Sequence, residues 1–235
     1  MKITIAHLYP DMLNLYGDSG NILTLKYRLN ARGIEADVIS YNIDDDIDFS
    51  SADIILIGGG GEREQLTVCN RLREMKDKLI AYAEDGGVIL AVCGGFEVLG
   101  SSYTTPDGTV EGVGLLDITT RYVKDKIIGN AVIESELFGT VVGFENHSGI
   151  VDIGAHSPLG KVISGNGADG KGSEGVIYKN VIATYLHGPV LPKNPRLADY
   201  IISKAMERRY GKTELTPLDD TIEMAAHDYA VGRFR

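Results

Sequence analysis

A chain of 235 residues, 43% of them hydrophobic, can bury one generous α/β core, and its formal charge of −10 repels phosphate backbones, which excludes nucleic acid as a natural partner. Two cysteines, Cys69 and Cys93, are too few for a disulfide framework and suit a reducing compartment. No apolar run approaches the roughly 20 residues needed to cross a bilayer, and Met1–Ala6 lacks a signal peptide's apolar stretch and cleavage site; the expectation is a cytoplasmic protein without membrane insertion.

The first half alternates strand and helix. Lys2–His7 predicts a strand, Asn21–Arg32 an amphipathic helix closed by Gly33, and Ala36–Tyr41 a second strand. Asp53–Ile57 is an apolar strand running into Gly58-Gly59-Gly60-Gly61, Glu64–Glu84 has helical periodicity, and Val88–Val92 is again continuously apolar. Such strands, separated by helices, predict a mostly parallel central sheet flanked by helices on both faces. After Gly100 the texture changes. Asp117–Val123, Ala131–Glu134 and Val141–Glu145 read as shorter strands, and the glycine-rich stretch Gly154–Gly175 reads as a loop. Val176–Tyr178 and Val181–Leu186 suit a hairpin around Lys179-Asn180, and Pro195–Arg209 suits a final core helix with Leu197, Ile201, Ile202 and Ala205 on one face. The basic stretch Lys204–Lys212 reads as the solvated end of that helix. Residues 1–210 are expected to form one domain, with 211–235 as a C-terminal extension docking on it or on a partner.

The central feature is Val88-Ile89-Leu90-Ala91-Val92-Cys93-Gly94-Gly95. A buried strand delivers a thiol into a tight turn that opens a helix, and Ala91 and Gly95 put small residues two places either side. That is the layout of a nucleophile elbow. Backbone N–H groups at the helix start are expected to lower the thiol pKa. The bland alternative is a structural cysteine packed between strand and helix, which is how Cys69, inside a helical run, is read.

Gly58-Gly59-Gly60-Gly61 also ends a strand and should lie beside the Cys93 turn. Consecutive glycines let N–H groups converge into an anion nest, which with the Gly94 N–H would form an oxyanion hole. A phosphate loop is the weaker rival, because no Gly-Lys-Ser/Thr follows. Of five histidines, His187 has the best setting: Val181–Leu186 is apolar, then His187-Gly188-Pro189 follows in the same sheet-end pattern. A general base needs only to reach the thiol in space. His147 is the second candidate, and the histidines and cysteines are too scattered to argue a metal site.

Gly58-Gly59-Gly60, Cys93-Gly94-Gly95 and His187-Gly188 together resemble the class I glutamine amidotransferases. Leu13-Asn14-Leu15-Tyr16-Gly17-Asp18, Arg63-Glu64-Gln65, Gly143-Phe144-Glu145-Asn146-His147 and Thr184–Asn194 are similar to the cobyric acid synthase-like branch, and within it to the GatD-type glutaminase subunits of lipid II isoglutaminyl synthases. The resemblance implies a flavodoxin-like α/β fold and hydrolysis of L-glutamine by a Cys93–His187 dyad, with Gly60 and Gly94 as oxyanion donors and no cofactor on this chain. It further implies that Gly59, Asn146, His147 and Ser148 hold the substrate. A cation for the glutamine carboxylate is expected chemically, with Arg121, Lys126 or Arg63 as candidates. The implied partner is a MurT-like ATP-dependent synthetase in a heterodimer, which uses the ammonia to amidate D-glutamate of the lipid II stem peptide. Two positions depart from the family pattern. Pro189 stands where many members carry a glutamate that orients the histidine, and Glu97 stands where many carry glutamine. Other readings stay open: service to a different amidating synthetase, a cysteine hydrolase of another amide, or an inactive binding subunit.

Overall fold

The computed structural model describes residues 1–212 and 214–235; Thr213, within the expected extension, lies outside the described residues. In chain order the first half comprises β1 (Lys2–Leu8), α1 (Ser19–Ala31), β2 (Glu35–Tyr41), β3 (Ile54–Ile57), α2 (Glu62–Glu74), α3 (Lys76–Glu84), β4 (Val88–Val92) and α4 (Gly94–Val98). The second half comprises β5 (Ser102–Thr105), β6 (Gly108–Glu111), β7 (Thr119–Ser135), β8 (Gly139–Asp152), β9 (Gly160–Ser164), β10 (Ser173–Glu174), β11 (Val176–Tyr178) and β12 (Val181–Thr184). A 3₁₀ turn (Leu191–Lys193) leads into α5 (Pro195–Tyr210), and α6 (Thr221–Phe234) follows.

The first sheet runs β11-β12-β4-β3-β1-β2, parallel throughout except for β11 at its edge. Its central strands are apolar on both faces because helices cover both. Ile55, Ile57, Ile89 and Ala91 pack with Val68, Leu72 and Leu79 of α2 and α3. The alternate residues Ile54, Leu56, Leu90 and Val92 pack with Ile22, Leu25 and Leu29 of α1 and with Leu197, Ile201 and Ile202 of α5. Burying this many large aliphatic side chains, at about 1.5–3 kcal/mol each, is what fixes the sheet. Cys69 is buried among them, as a packing residue should be.

A second sheet runs β10-β9-β7-β5-β6, with β8 paired along β7. Here the structure corrects three expectations. The short strands expected over 117–145 are two long ones, β7 and β8, joined as an antiparallel hairpin with a register shift between Tyr122 and Ile127. The middle of β7, Lys124-Asp125-Lys126, is exposed, so no apolar alternation marks it as strand. The stretch 154–175 is not all loop, since β9 pairs with β7 and β10 with β9. The expected helix over 64–84 is two helices, α2 and α3, divided at Met75.

Beyond α5 the chain returns to the domain. The Arg28 guanidinium, 2% exposed, donates to Asp199 at 2.7 Å and to Asp220 at 2.6 Å, joining α1, α5 and the approach to α6. His227 of α6 is buried and bridges Thr140 Oγ1 and the Lys193 carbonyl, each at 2.7 Å. No helix among the described residues is long and apolar enough to cross a membrane.

Candidate active site

β4 ends at Cys93, which has φ 54° and ψ −112°, a conformation that side-chain-bearing residues rarely hold. Close approach enforces the turn. A Cβ on Gly95 would come within 2.7 Å of the Ile57 carbonyl, and one on Gly59 within 2.8 Å of the Cys93 Cβ. The Cys93 N–H donates to the Thr184 carbonyl at 2.8 Å, which bonds the elbow to the end of the adjacent strand β12. Three residues past Thr184, His187 exchanges backbone hydrogen bonds of 3.0 and 3.1 Å with Phe144 of β8. Nucleophile and base candidates therefore sit at the same ends of neighbouring parallel strands, where open α/β sheets bind ligands.

The His187 imidazole is fully buried, 4.2 Å from the Tyr16 ring centroid and 6.0 Å from that of Phe144. Burial lowers its pKa to about 4, so at neutral pH the ring is uncharged and able to accept a proton. Among the described residues, no hydrogen bond joins His187 directly to Cys93. The group common to both is the main-chain carbonyl of Asn146. It lies 4.0 Å from the Cys93 Sγ, and it is near enough to the imidazole to favour its protonated form, though outside hydrogen-bonding geometry with either nitrogen.

The expected lowering of the thiol pKa is reversed. Burial pushes Cys93 far above the ordinary thiol value of 9, and the carboxylates of Glu97, Asp18 and Glu174 add to it. The Gly94 N–H pulls the other way and loses to burial and the carboxylates. At neutral pH the thiol and the imidazole are therefore both uncharged.

A cleft of about 150 Å³ opens over Cys93. Gly60, Gly94, Lys126, Asn146, His147 and Ser148 line it with Cys93, so seven of the residues expected from sequence meet there. His187 lies behind this wall, beneath Tyr16. Arg121, opposite Ile150 on β7 and exposed, does not line the cleft, and neither does Arg63; Lys126 is the cation at its rim. Gly59 is also corrected as a substrate contact. Its N–H donates to Asp18 Oδ2 at 2.8 Å and its carbonyl accepts from the Leu15 N–H at 3.0 Å, leaving neither free.

Among the residues in and under the cleft, Tyr16, Gln65, Tyr185 and Glu174 were not singled out individually from sequence, whereas His147 and Glu97 were. Tyr16 lines the cleft, and its hydroxyl accepts from Asn146 Nδ2 at 2.7 Å. Glu97 is held between Gln65 Nε2 at 2.8 Å and the Tyr185 hydroxyl at 2.6 Å, so its charge is tied to protein donors. His147 stacks on Tyr185 with 3.7 Å between centroids and 3° between planes. Its Nδ1 contacts the Gly149 carbonyl at 2.8 Å, which makes Nδ1 the protonated nitrogen, and its Nε2 is 3.7 Å from Glu145 Oε2. Below lies Glu174, buried, accepting from Thr184 Oγ1 at 2.6 Å and the Tyr185 N–H at 2.8 Å; burial raises it to about 7. Tyr16 and Asp18 had a usable signal in the Leu13–Asp18 motif, and Gln65 in Arg63-Glu64-Gln65. Glu174 comes from the glycine-rich stretch, where nothing in the pattern marks it. No group of three or more His, Cys, Asp or Glu side chains among the described residues could hold a metal ion.

This geometry has counterparts. Residues 4–195 match the family model of the CobB/CobQ-like glutamine amidotransferase domain. The chain is 43% identical over 99% of its length to the lipid II isoglutaminyl synthase (glutamine-hydrolyzing) subunit GatD of Staphylococcus aureus strain N315, covering 96% of that protein. It is 38% identical over 94% of its length to the subunit of the same name from Streptococcus pneumoniae strain R6, covering 87% of it. Among solved structures, a glutamine amidotransferase superposes over 85% of this chain and 98% of its own, with a TM-score of 0.58 at 18% identity, a likeness of fold. The flavodoxin-like α/β architecture expected from sequence is thus the one found, and the chain belongs to the CobB/CobQ-like glutamine amidotransferase domain family.

Proposed function

We propose that this chain is the glutaminase subunit of a lipid II isoglutaminyl synthase, and that Cys93 and His187 perform the hydrolysis. The observation that carries the reading is the strained Cys93 elbow after β4, hydrogen-bonded to the end of β12, with a buried and neutral His187 three residues beyond that strand. The names of the two GatD relatives, matched over nearly the whole chain, support the assignment to this synthase.

In the proposed reaction the Cys93 sulfur attacks the side-chain amide carbon of L-glutamine while its proton passes to the His187 imidazole. The carbonyl oxygen becomes an oxyanion facing the N–H groups of Gly60 and Gly94, donors that at such sites are each worth about a hundred- to a thousand-fold in rate. His187 returns the proton to the amide nitrogen as the carbon–nitrogen bond breaks, which releases ammonia and leaves a glutamyl thioester. Water adds to the thioester, frees glutamate and restores the thiol. Asn146, His147 and Ser148 hold the amino-acid end of glutamine, with Lys126 facing its carboxylate. The ammonia passes to a MurT-like ATP-dependent synthetase that amidates D-glutamate of the lipid II stem peptide. Residues 211–235 form the extension to a catalytic domain of residues 1–210.

The test is to incubate wild-type and Cys93→Ser protein with an electrophilic glutamine analogue and weigh both intact. One stoichiometric adduct on the wild type alone is expected. No adduct on either, even with the synthetase subunit present, would falsify the glutaminase reading. Co-purification with the synthetase subunit and glutamine-dependent amidation of lipid II then test the partner.

A further inference from the structure

Asp18 is fully buried, and nothing in the mechanism above uses it. Its Oδ2 accepts the Gly59 N–H at 2.8 Å, while its Oδ1 has no hydrogen-bond partner. A carboxyl group held this way is expensive, since burial favours its neutral form and a single backbone donor compensates only in part. It also adds to the forces that hold the Cys93 thiol protonated. An amide donor alone could be satisfied by a smaller, uncharged group. What Asp18 touches gives the reason for it.

The glycine loop is pinned at three points. The Gly58 carbonyl accepts from the Gly95 N–H at 3.1 Å, the Gly59 N–H donates to Asp18, and the Gly59 carbonyl accepts from the Leu15 N–H at 3.0 Å. Peptide units are planar and trans, so the C=O and N–H of one unit point in opposite directions. With its carbonyl directed at Leu15, the 59–60 peptide must aim the Gly60 N–H the other way, and Gly60 lines the cleft over Cys93. The preceding 58–59 peptide is fixed at both ends, by Gly95 and by Asp18. Glycine has low barriers to peptide rotation, so without these anchors the loop can turn the Gly60 amide out of the cleft.

We propose that Asp18 is a positioning residue for the oxyanion hole: by holding the Gly59 N–H it keeps the Gly60 N–H directed at the carbonyl oxygen of the substrate. The proposal rests on the glutaminase reading of Cys93. It makes Leu13–Asp18 the element that assembles the oxyanion site, since the same segment supplies the Leu15 N–H.

The experiment compares full-length wild type with Asp18→Ala, Asp18→Asn and Asp18→Ser in a glutaminase assay, with and without the synthetase subunit. Thermal melts and intact-mass adduct stoichiometry are recorded for each. Asparagine keeps an acceptor at the position of Oδ2, whereas serine is too short to reach. The expected result is a kcat reduced about a hundredfold in Asp18→Ala with KM within about threefold, and a kcat within about fivefold of wild type in Asp18→Asn. If Asp18→Ala does not fold, the contrast of Asp18→Asn with Asp18→Ser carries the same comparison. A folded Asp18→Ala or Asp18→Ser with wild-type kcat overturns the proposal and leaves the glutaminase reading standing. Equal losses in Asp18→Asn and Asp18→Ala also overturn it, because charge rather than the hydrogen bond would then matter. A wild type that neither forms the adduct nor hydrolyses glutamine removes the glutaminase reading, and the proposal with it.

Discussion

The Tyr16 ring lies against the His187 imidazole, with centroids 4.2 Å apart and planes tilted by 37°. The same side chain accepts a hydrogen bond from Asn146, whose main-chain carbonyl faces both the thiol and the imidazole. Tyr16 therefore acts as a clamp. Its ring seals His187 from water and its hydroxyl fixes the residue next to both Cys93 and His187.

Separating those roles needs two variants. Tyr16→Phe keeps the ring and loses the hydrogen bond, and should lower kcat/KM about fivefold, the equivalent of about 1 kcal/mol. Tyr16→Ala also opens the base to solvent and should lose about a hundredfold or more. Steady-state release of glutamate measures both, and wild-type activity in both variants would show that the clamp has no catalytic consequence.

The neutral resting state of Cys93 predicts a distinctive pH profile. In the empty enzyme, alkylation by iodoacetamide should be slow at pH 7 and should keep accelerating beyond pH 9, the ordinary thiol value, because burial and then the Glu97, Asp18 and Glu174 carboxylates push the group up. Intact mass spectrometry across the pH series reads this directly. A reactivity plateau reached below pH 8 would mean that a thiolate–imidazolium pair already exists at rest.

Gly59→Ala addresses the packing behind the elbow. The added methyl would stand 2.8 Å from the Cys93 Cβ and 3.4 Å from its Sγ, so the nucleophile must shift. A displacement near 1 Å at a reacting atom costs on the order of a hundredfold in rate. The variant should lose kcat by about that factor and keep its far-UV circular dichroism. Unimpaired turnover would mean that the turn has more slack than its contacts indicate.

Glu174 gives stability a pH dependence of known sign. Its folded-state pKa is raised by burial from 4.5 to about 7, so between those values the native protein holds a proton that the unfolded chain has released. Its contribution is fully present below pH 4.5 and declines as pH rises towards 7, by at most about 1.4 kcal/mol per pH unit. Urea midpoints measured across that range should fall less steeply in Glu174→Gln than in the wild type. Parallel curves would show that Glu174 is already ionised in the native state.

The elbow was legible because β4 is apolar without interruption and its thiol is followed by two glycines, a pattern that needs no knowledge of distant residues. His187 was legible for the same reason, at the end of β12. What escaped depends on neighbours brought together by folding. The strand β7 passes through exposed residues where alternation fails, the buried face of β8 carries Glu145 and His147 where apolar residues would mark a strand, and β10 is two residues long in a glycine-rich stretch. The thiol pKa went the wrong way first because the elbow is buried, and then because Glu97, Asp18 and Glu174 reach Cys93 from three separate segments. Arg121 and Lys126 share one strand, and only its pairing and twist decide which of them reaches the cleft.

The backbone bond from Cys93 to Thr184 ties the elbow to the adjacent strand of its own sheet, while His187 is bonded to Phe144 of β8. Neighbouring strands lie about 4.8 Å apart wherever they pair, so the place of the Cys93 elbow is inherited from the sheet and is insensitive to surface connections. The walls of the cleft come from elsewhere, from the β7–β8 hairpin and the segment around Tyr16. Those walls can lengthen, shorten or change chemistry while the Cys93 elbow stays where the core holds it.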